Sequence, residues 1–448
     1  MAQTGQISSQ AGRLARYWLL LGVAALGIAG LFSLVLVIAR TPALAKLPGF
    51  AGLFHEALVV HVDLSVLVWF LAIACMMWSL LCAGGRSFIS LVEEAALLCF
   101  AGGTLLIAAS PLDGDAEALM SNYIPVITSP LFFLGLALLL CGVTLMIARV
   151  ITMRNDGAGL LTAPMQFGTF SAALVTLWAI VAFVWSYQAM PQVIEGQQYY
   201  ELLFWGGGHV LQFTHTQVLM LCWLLLATAL NPSYTPRAGV LYAIFAVALV
   251  ASFTTPLAYL NYDVTDSGHR EFFTQQMIIA GGVAPAVLAV MLLPQLWGAR
   301  HERKGPKRAL WAALLMSWIL FIYGGVLGGL IRDQNVVIPA HYHGSIVGVT
   351  IAFMGAAYAL LPRFGCRDVA SWRMAFWQPI VYGGGQLMHI SGLAWSGGYG
   401  VLRKTPGVAQ ELAPSVKAAL GFMGAGGLFA IIGGFMFVLV VIKAVRKA

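Results

Sequence analysis

The chain has 448 residues, 60% of them hydrophobic and only 9% charged, with a mean hydropathy of +0.86. This excludes an ordinary soluble domain and points to a protein that crosses a bilayer many times. The net charge of +7 and pI near 9.1 suit contact with anionic lipid, not nucleic acid.

Hydropathy predicts twelve spans in chain order, at residues 17–38, 55–82, 88–109, 124–148, 164–189, 203–229, 238–262, 274–298, 309–331, 340–362, 374–397 and 419–442. The first is too long for a cleavable signal, and no small-residue cleavage site leads into a soluble domain. With the N-terminus cytoplasmic, the cytoplasmic segments hold 17 of the 24 Lys and Arg residues, including Arg300, Arg303, Lys304, Lys307 and Arg308. The opposite face holds Arg40, Lys46, Arg270, Arg332, Arg403, Lys404 and Lys417. That asymmetry predicts an all-α integral membrane fold, a twelve-transmembrane-helix bundle with both termini cytoplasmic. Residues 1–448 then form a single membrane domain. An acidic outer segment, Asp113-Gly114-Asp115-Ala116-Glu117, is either solvated or a docking face for a basic partner.

The six cysteines form no C-x-x-C and read as small apolar residues. No phosphate-binding loop, dinucleotide fingerprint or C-x-x-C-H is present. The chemistry therefore falls to the nine histidines. His301 lies in a basic cytoplasmic loop, while His61, His209, His341 and His343 lie at similar outer depths in the second, sixth and tenth spans. His341 and His343, two positions apart on a helix, point about 200° away from each other. One helix can thus address two objects on its opposite sides. Buried imidazole is costly in a membrane without a partner, and neutral imidazole is a standard iron and copper ligand. The pair reads either as axial ligands to two hemes or as helix-end histidines at a wet interface.

Ile338-Pro339-Ala340-His341-Tyr342-His343, Leu203-Phe204-Trp205-Gly206-Gly207-Gly208-His209, Phe273-Thr274 with Met277-Ile278-Ile279, and the stretch from Gly392-Leu393 to Arg403-Lys404 together resemble the catalytic subunit of the heme-copper oxidase superfamily. The resemblance covers nearly the whole chain. It implies two hemes, one low-spin and one high-spin, with a second metal, copper or iron, at the active site. His61 and His343 would ligate the low-spin heme, His341 the high-spin heme iron, and His209 the second metal. Arg403 and Lys404 would clamp heme propionates, and His389 would lie near a heme edge. His341 and His209 are the implied catalytic pair.

Two departures from the family pattern stand out. Oxygen-reducing members commonly carry a tyrosine four residues after the span-six histidine, and here that residue is Phe213. Tyr259 or Tyr262 are the candidate substitutes. The family's His-His pair near the outer end of the seventh span is also missing. Its place matches either Thr254-Thr255-Pro256 or Gly268-His269-Arg270, so His269 is a further candidate metal ligand in the outer loop before span eight. Gln212, Asp263 and Asp266 are candidate oxygen ligands. His215 faces about 240° around the helix from His209. Trp205 is placed to pack on a heme face. Glu93, Glu94 and Asp63 are intramembrane acids that read as proton relays or, for the glutamates, as hydrated interface groups.

These departures favour nitric oxide over oxygen as the substrate of a membrane respiratory oxidoreductase, with a cytochrome c oxidase-type oxygen reductase as the alternative. A heme-bearing electron-transfer or sensing protein without the second metal is the alternative of another class. No soluble copper or c-heme domain is visible, so electrons are expected from a companion subunit, a soluble cytochrome c or a cupredoxin on the outer face. The expected location is a bacterial-type cytoplasmic membrane, with the hemes toward its outer side.

Overall fold

The computed structural model describes residues 9–40, 53–82, 87–114, 116–152, 160–234, 236–298, 305–331, 335–369, 372–399 and 413–446. They form a helical bundle. The helices are α1 (Ser9–Arg40), α2 (Phe54–Val62), α3 (Trp69–Leu81), α4 (Ser87–Ala109), α5 (Pro130–Thr152), α6 (Ala163–Ala189), α7 (Gly196–Leu230), α8 (Ala238–Ser252), α9 (Thr255–Asn261), α10 (Ser267–Gly298), α11 (Pro306–Gly328), α12 (Val337–Leu360), α13 (Trp372–Gly397) and α14 (Pro414–Arg446). One π-helical stretch, Asp63–Val68, joins α2 to α3 in a single span. Such widened turns are often found at functional sites. The seventh predicted span breaks into α8 and α9 at Phe253-Thr254, just before Pro256, whose ring disfavours an unbroken helix.

Eleven spans among the described residues are long and apolar enough to cross a membrane. This is an integral membrane protein. α13 also corresponds to a predicted span, but Arg373, Gln378, Gln386 and His389 lower its apolar character.

α7 is the axis of the bundle, in contact with α3, α6, α8, α10, α11 and α12. At 35 residues it is about 52 Å long, well over the roughly 30 Å apolar thickness of a bilayer. α13 packs along α14, α11 along α12, and α4 along α5. Small residues permit this in lipid, where close van der Waals packing replaces the hydrophobic effect as the force between helices. A Cβ on Gly344 would strike the Gly324 backbone, so α11 and α12 touch there main chain to main chain.

Two predicted boundaries need correction. The fourth span begins at Pro130, not 124, because residues 118–127 fold as a two-stranded antiparallel ribbon, β1 (Ala118–Leu119) with β2 (Val126–Ile127). Proline at the first helical position sets the later start. The ribbon rests on α2 and α7. It is tied down by Thr128 N–H to the Glu117 carbonyl at 2.8 Å and by Ser129 Oγ to Asp113 Oδ2 at 2.7 Å. One acid of the expected docking face is thus spent on the ribbon. The eighth span begins at Ser267, not 274, which moves His269 from the expected loop into the first turn of a helix.

Candidate functional site

Five of the candidate histidines share one local device. Each gives its Nδ1–H to a main-chain carbonyl: His61 to Ala29 (3.0 Å), His209 to Trp205 (2.9 Å), His341 to Gly324 (2.7 Å), His343 to Pro339 (2.9 Å) and His389 to Met423 (3.1 Å). A carbonyl can only accept, so Nδ1 carries the hydrogen and the lone pair is on Nε2. This is the second-sphere arrangement that fixes tautomer and ring direction in metal-bound histidines. The acceptors belong to neighbouring helices for His61, His341 and His389, and to the preceding turn for His209 and His343. A Cβ at Gly328 would strike the His341 ring, so glycine on α11 makes room for it.

The candidates fall into groups. His343 and His389 face each other with ring centroids 5.4 Å apart. His61 stands beside α1, two residues before the π-helical stretch. Asp63, two residues on, is fully buried, and neither carboxylate oxygen has a hydrogen-bond partner. Such an orphan is rare in a finished interior. Together with the five imidazoles oriented by main-chain carbonyls, it fits an interior that holds metal-ligating groups. Arg403 and Lys404, the expected propionate clamp, lie outside the described residues.

The second group surrounds His209, which is buried on α7. The three preceding glycines admit four aromatic side chains. A Cβ at Gly208 would overlap the Tyr123 ring, at Gly207 the Phe183 ring, and at Gly206 the Tyr259 hydroxyl and the Phe273 ring. Tyr123 comes from the turn of the ribbon. Its hydroxyl lies 2.8 Å from Nδ1 and 2.9 Å from Nε2 of His209. Nδ1–H is already given to Trp205, and the hydroxyl, nearly equidistant from both nitrogens, lies against the ring between them. Asn122, the residue before Tyr123, holds Glu201 of α7 through both its main-chain and side-chain nitrogens. Burial, and then the Glu201 carboxylate, push the Tyr123 hydroxyl well above the ordinary phenol range, so it remains a donor.

α10 contributes His269 and Phe273. The Phe273 ring lies 5.1 Å from the His269 ring and 6.1 Å from that of His209. His269 is fully buried, and neither ring nitrogen has a hydrogen-bond partner. Tyr259 packs on His269 at 4.9 Å and donates to the Ala182 carbonyl at 2.9 Å. Trp205 packs against His209 at 4.8 Å and Tyr123 at 5.9 Å, and its Nε1–H goes to the Arg270 carbonyl.

Other candidates lie elsewhere. Thr254 is engaged by Gln276 at 2.9 Å, so Thr254-Thr255 forms an α8–α10 seam. Asp263 and Asp266 are exposed, and Tyr262 is largely so. The Arg270 side chain turns back to the Thr265 carbonyl. His215 packs on Phe70 of α3 at 4.9 Å. Glu93 is not hydrated: it is buried and paired with Arg149 of α5. Among the described residues, no three His, Cys, Asp or Glu side chains come together as a metal-binding group.

Sequence reasoning missed Tyr123. The signal was there: Asn122 and Pro125 flank it and mark a turn, not a span.

A family model described as cytochrome c and quinol oxidase polypeptide I matches residues 13–436. An uncharacterized protein of Rickettsia prowazekii (strain Madrid E) is 32% identical, over 95% of this chain and 94% of the relative. An uncharacterized protein of Aquifex aeolicus (strain VF5) is 29% identical, over 78% and 84%. A heme-copper terminal oxidase solved as a dimer by cryo-electron microscopy superposes with a TM-score of 0.79 at 17% identity, over 98% of this chain and 84% of that one.

Proposed function

This chain belongs to the cytochrome c and quinol oxidase polypeptide I family, and from that premise we propose that it is the heme-bearing subunit of a membrane reductase acting on nitric oxide. The family makes it a heme-dependent oxidoreductase of the respiratory membrane type. His61 and His343 are assigned as axial ligands of a low-spin heme, His341 as the ligand of a high-spin heme, and His209 as a ligand of the second metal. His389, Arg403 and Lys404 serve the heme edges. The full bundle has twelve spans with both termini in the cytoplasm, and the hemes lie toward the outer side. Electrons arrive there from a companion subunit, a cytochrome c or a cupredoxin.

The observation that carries nitric oxide is the surroundings of His209. A phenol oxygen stands against its ring, 2.8 Å from Nδ1 and 2.9 Å from Nε2, and among the described residues no cluster of three His, Cys, Asp or Glu ligands assembles. Oxygen donors suit iron better than copper. Joining two nitric oxide molecules needs two electrons and no tyrosine radical. The hemes, when bound, supply electron transfer and an iron that binds the gas. The chain's own residues do the rest. The Gly324 carbonyl fixes the His341 ring. Tyr123 holds a proton beside His209. The ribbon packs on α2 and α7 and brings Tyr123 onto the His209 ring.

One observation favours oxygen as the second reading. Tyr123 and Tyr259 both approach the His209 group, and either phenol can stand in for the one replaced by Phe213. The test is consumption of each gas by purified, reduced protein, measured anaerobically with a nitric oxide electrode and separately with an oxygen electrode. Turnover of nitric oxide well above that of oxygen supports the proposal. Turnover of oxygen alone overturns it.

A further inference from the structure

We infer that the end of the bundle where α1 begins and α14 ends holds a binding site for an anionic phospholipid, whose phosphodiester headgroup is taken by Arg16, Arg363 and Arg446. The site lies about 20 Å along α1 from Ala29, the partner of His61, and stands whatever the histidines bind.

Three observations carry it. The first is placement. α1 and α14 run antiparallel: a Cβ at Gly27 would meet Val438, and one at Gly30 would meet Phe435. Eleven residues of an α-helix complete three turns to within about 20°. Arg16 therefore lies on the face of α1 that Gly27 turns toward α14. The same register brings Arg446, in the last turn of α14, to within about a turn of Arg16. The 3-10 turn Leu361–Phe364, which follows α12, packs on α1 and carries Arg363. Just beyond it, burial pushes the Cys366 thiol up, and the Arg16 charge beside it acts the other way.

The second is charge. Among the described residues, carboxylates reach ion-pair distance of an arginine at Arg13, 3.5 Å from Glu94, and at Arg149, beside Glu93. Arg16, Arg363 and Arg446 are left without one. Arg16 and Arg363 are half-buried, and Arg16 Nε is enclosed with no hydrogen-bond partner. A partly buried guanidinium in that position calls for an anion, and its planar fork suits phosphate oxygens.

The third is the neighbouring surface. Tyr17, beside Arg16, is exposed at the level where aromatic rings meet lipid headgroups. Leu31 and Leu34 of α1 and Leu439 and Ile442 of α14 expose apolar groups along the seam between the two helices. Cations at one end of an apolar track match the two parts of a phospholipid, whereas free phosphate would use only the first.

The probe is dioleoyl phosphatidylglycerol, titrated into purified full-length protein in detergent and counted by native mass spectrometry. Dioleoyl phosphatidylcholine and inorganic phosphate are the comparators. Wild type should bind one phosphatidylglycerol at least about tenfold more tightly than either. Each basic side chain at a headgroup is worth about fivefold in affinity. Arg16→Gln/Arg363→Gln should therefore bind phosphatidylglycerol about 25-fold more weakly, with phosphatidylcholine unchanged. Arg237→Gln/Arg308→Gln removes the same charge from two exposed arginines elsewhere and should bind like wild type. Equal affinity for the two lipids, inorganic phosphate bound as tightly as phosphatidylglycerol, or the same loss in both double variants would each overturn the site. If the first double variant does not fold, wild type decides alone. A photoactivatable phosphatidylglycerol should label peptides that contain Arg16 and Arg363, and labelling confined to other segments would overturn the assignment.

Discussion

Arg149 and Glu93 form a buried ion pair between α5 and α4, with side chains only 6% and 1% exposed. The Cys82 carbonyl accepts a second, longer bond from Arg149 Nη2 at 3.5 Å. Replacing Arg149 by alanine leaves the Glu93 carboxylate buried without a counter-charge. Breaking such a pair costs about 3–5 kcal/mol, whereas replacing both partners by groups of similar shape is often neutral. At 1.4 kcal/mol per decade, that is about a hundredfold to several thousandfold in the unfolding equilibrium. The assay is thermal unfolding in detergent, followed by labelling of Cys75 and Cys222, which are buried in the folded protein. Arg149→Ala should melt well below wild type, and the double variant Glu93→Gln/Arg149→Met should recover most of the loss. The double variant should also keep gas turnover, because a carboxylate committed to arginine is a structural clamp and not a proton relay. Wild-type melting of Arg149→Ala, or a double variant that is stable but inactive, would refute this reasoning.

Three further outcomes are expected. His341→Ala should abolish the carbon monoxide-binding heme and spare the low-spin spectrum, read by optical difference spectroscopy; survival of both signals would show that His341 is not a heme ligand. Gly207→Ala drives a Cβ into the Phe183 ring and should cost about 1–3 kcal/mol in thermal unfolding, while Gly282→Ala, where a Cβ meets open space, should be neutral or better. Asp63→Leu removes a buried carboxylate that has no partner in the protein and should stabilise by about 1–3 kcal/mol; a lower melting temperature in heme-loaded protein would instead give Asp63 a partner in the bound group.

The bundle was legible because lipid imposes long apolar helices, and each predicted span overlaps an observed helix. The start of the fourth helix was not, since Ile124 through Phe133 is mostly apolar whether it folds as ribbon or helix; Asn122, Pro125 and Pro130 decide it. The orientation of His61, His341 and His343 could not be read from the chain, because Ala29, Gly324 and Pro339 hold them through main-chain carbonyls that carry no residue signature. His209 was legible from the Gly206-Gly207-Gly208 run beside it, but the glycines' function was not. They are small because Tyr123, Phe183 and Tyr259 must come close. His269 was placed in a loop because Ser267-Gly268 reads as a turn, whereas it opens α10.

The most direct test of the central claim is the optical spectrum of the purified, dithionite-reduced protein with and without carbon monoxide. The histidine arrangement predicts two hemes per chain: a low-spin heme that carbon monoxide leaves unchanged and a high-spin heme whose spectrum it shifts. Absence of heme, or two low-spin hemes both indifferent to carbon monoxide, would contradict it.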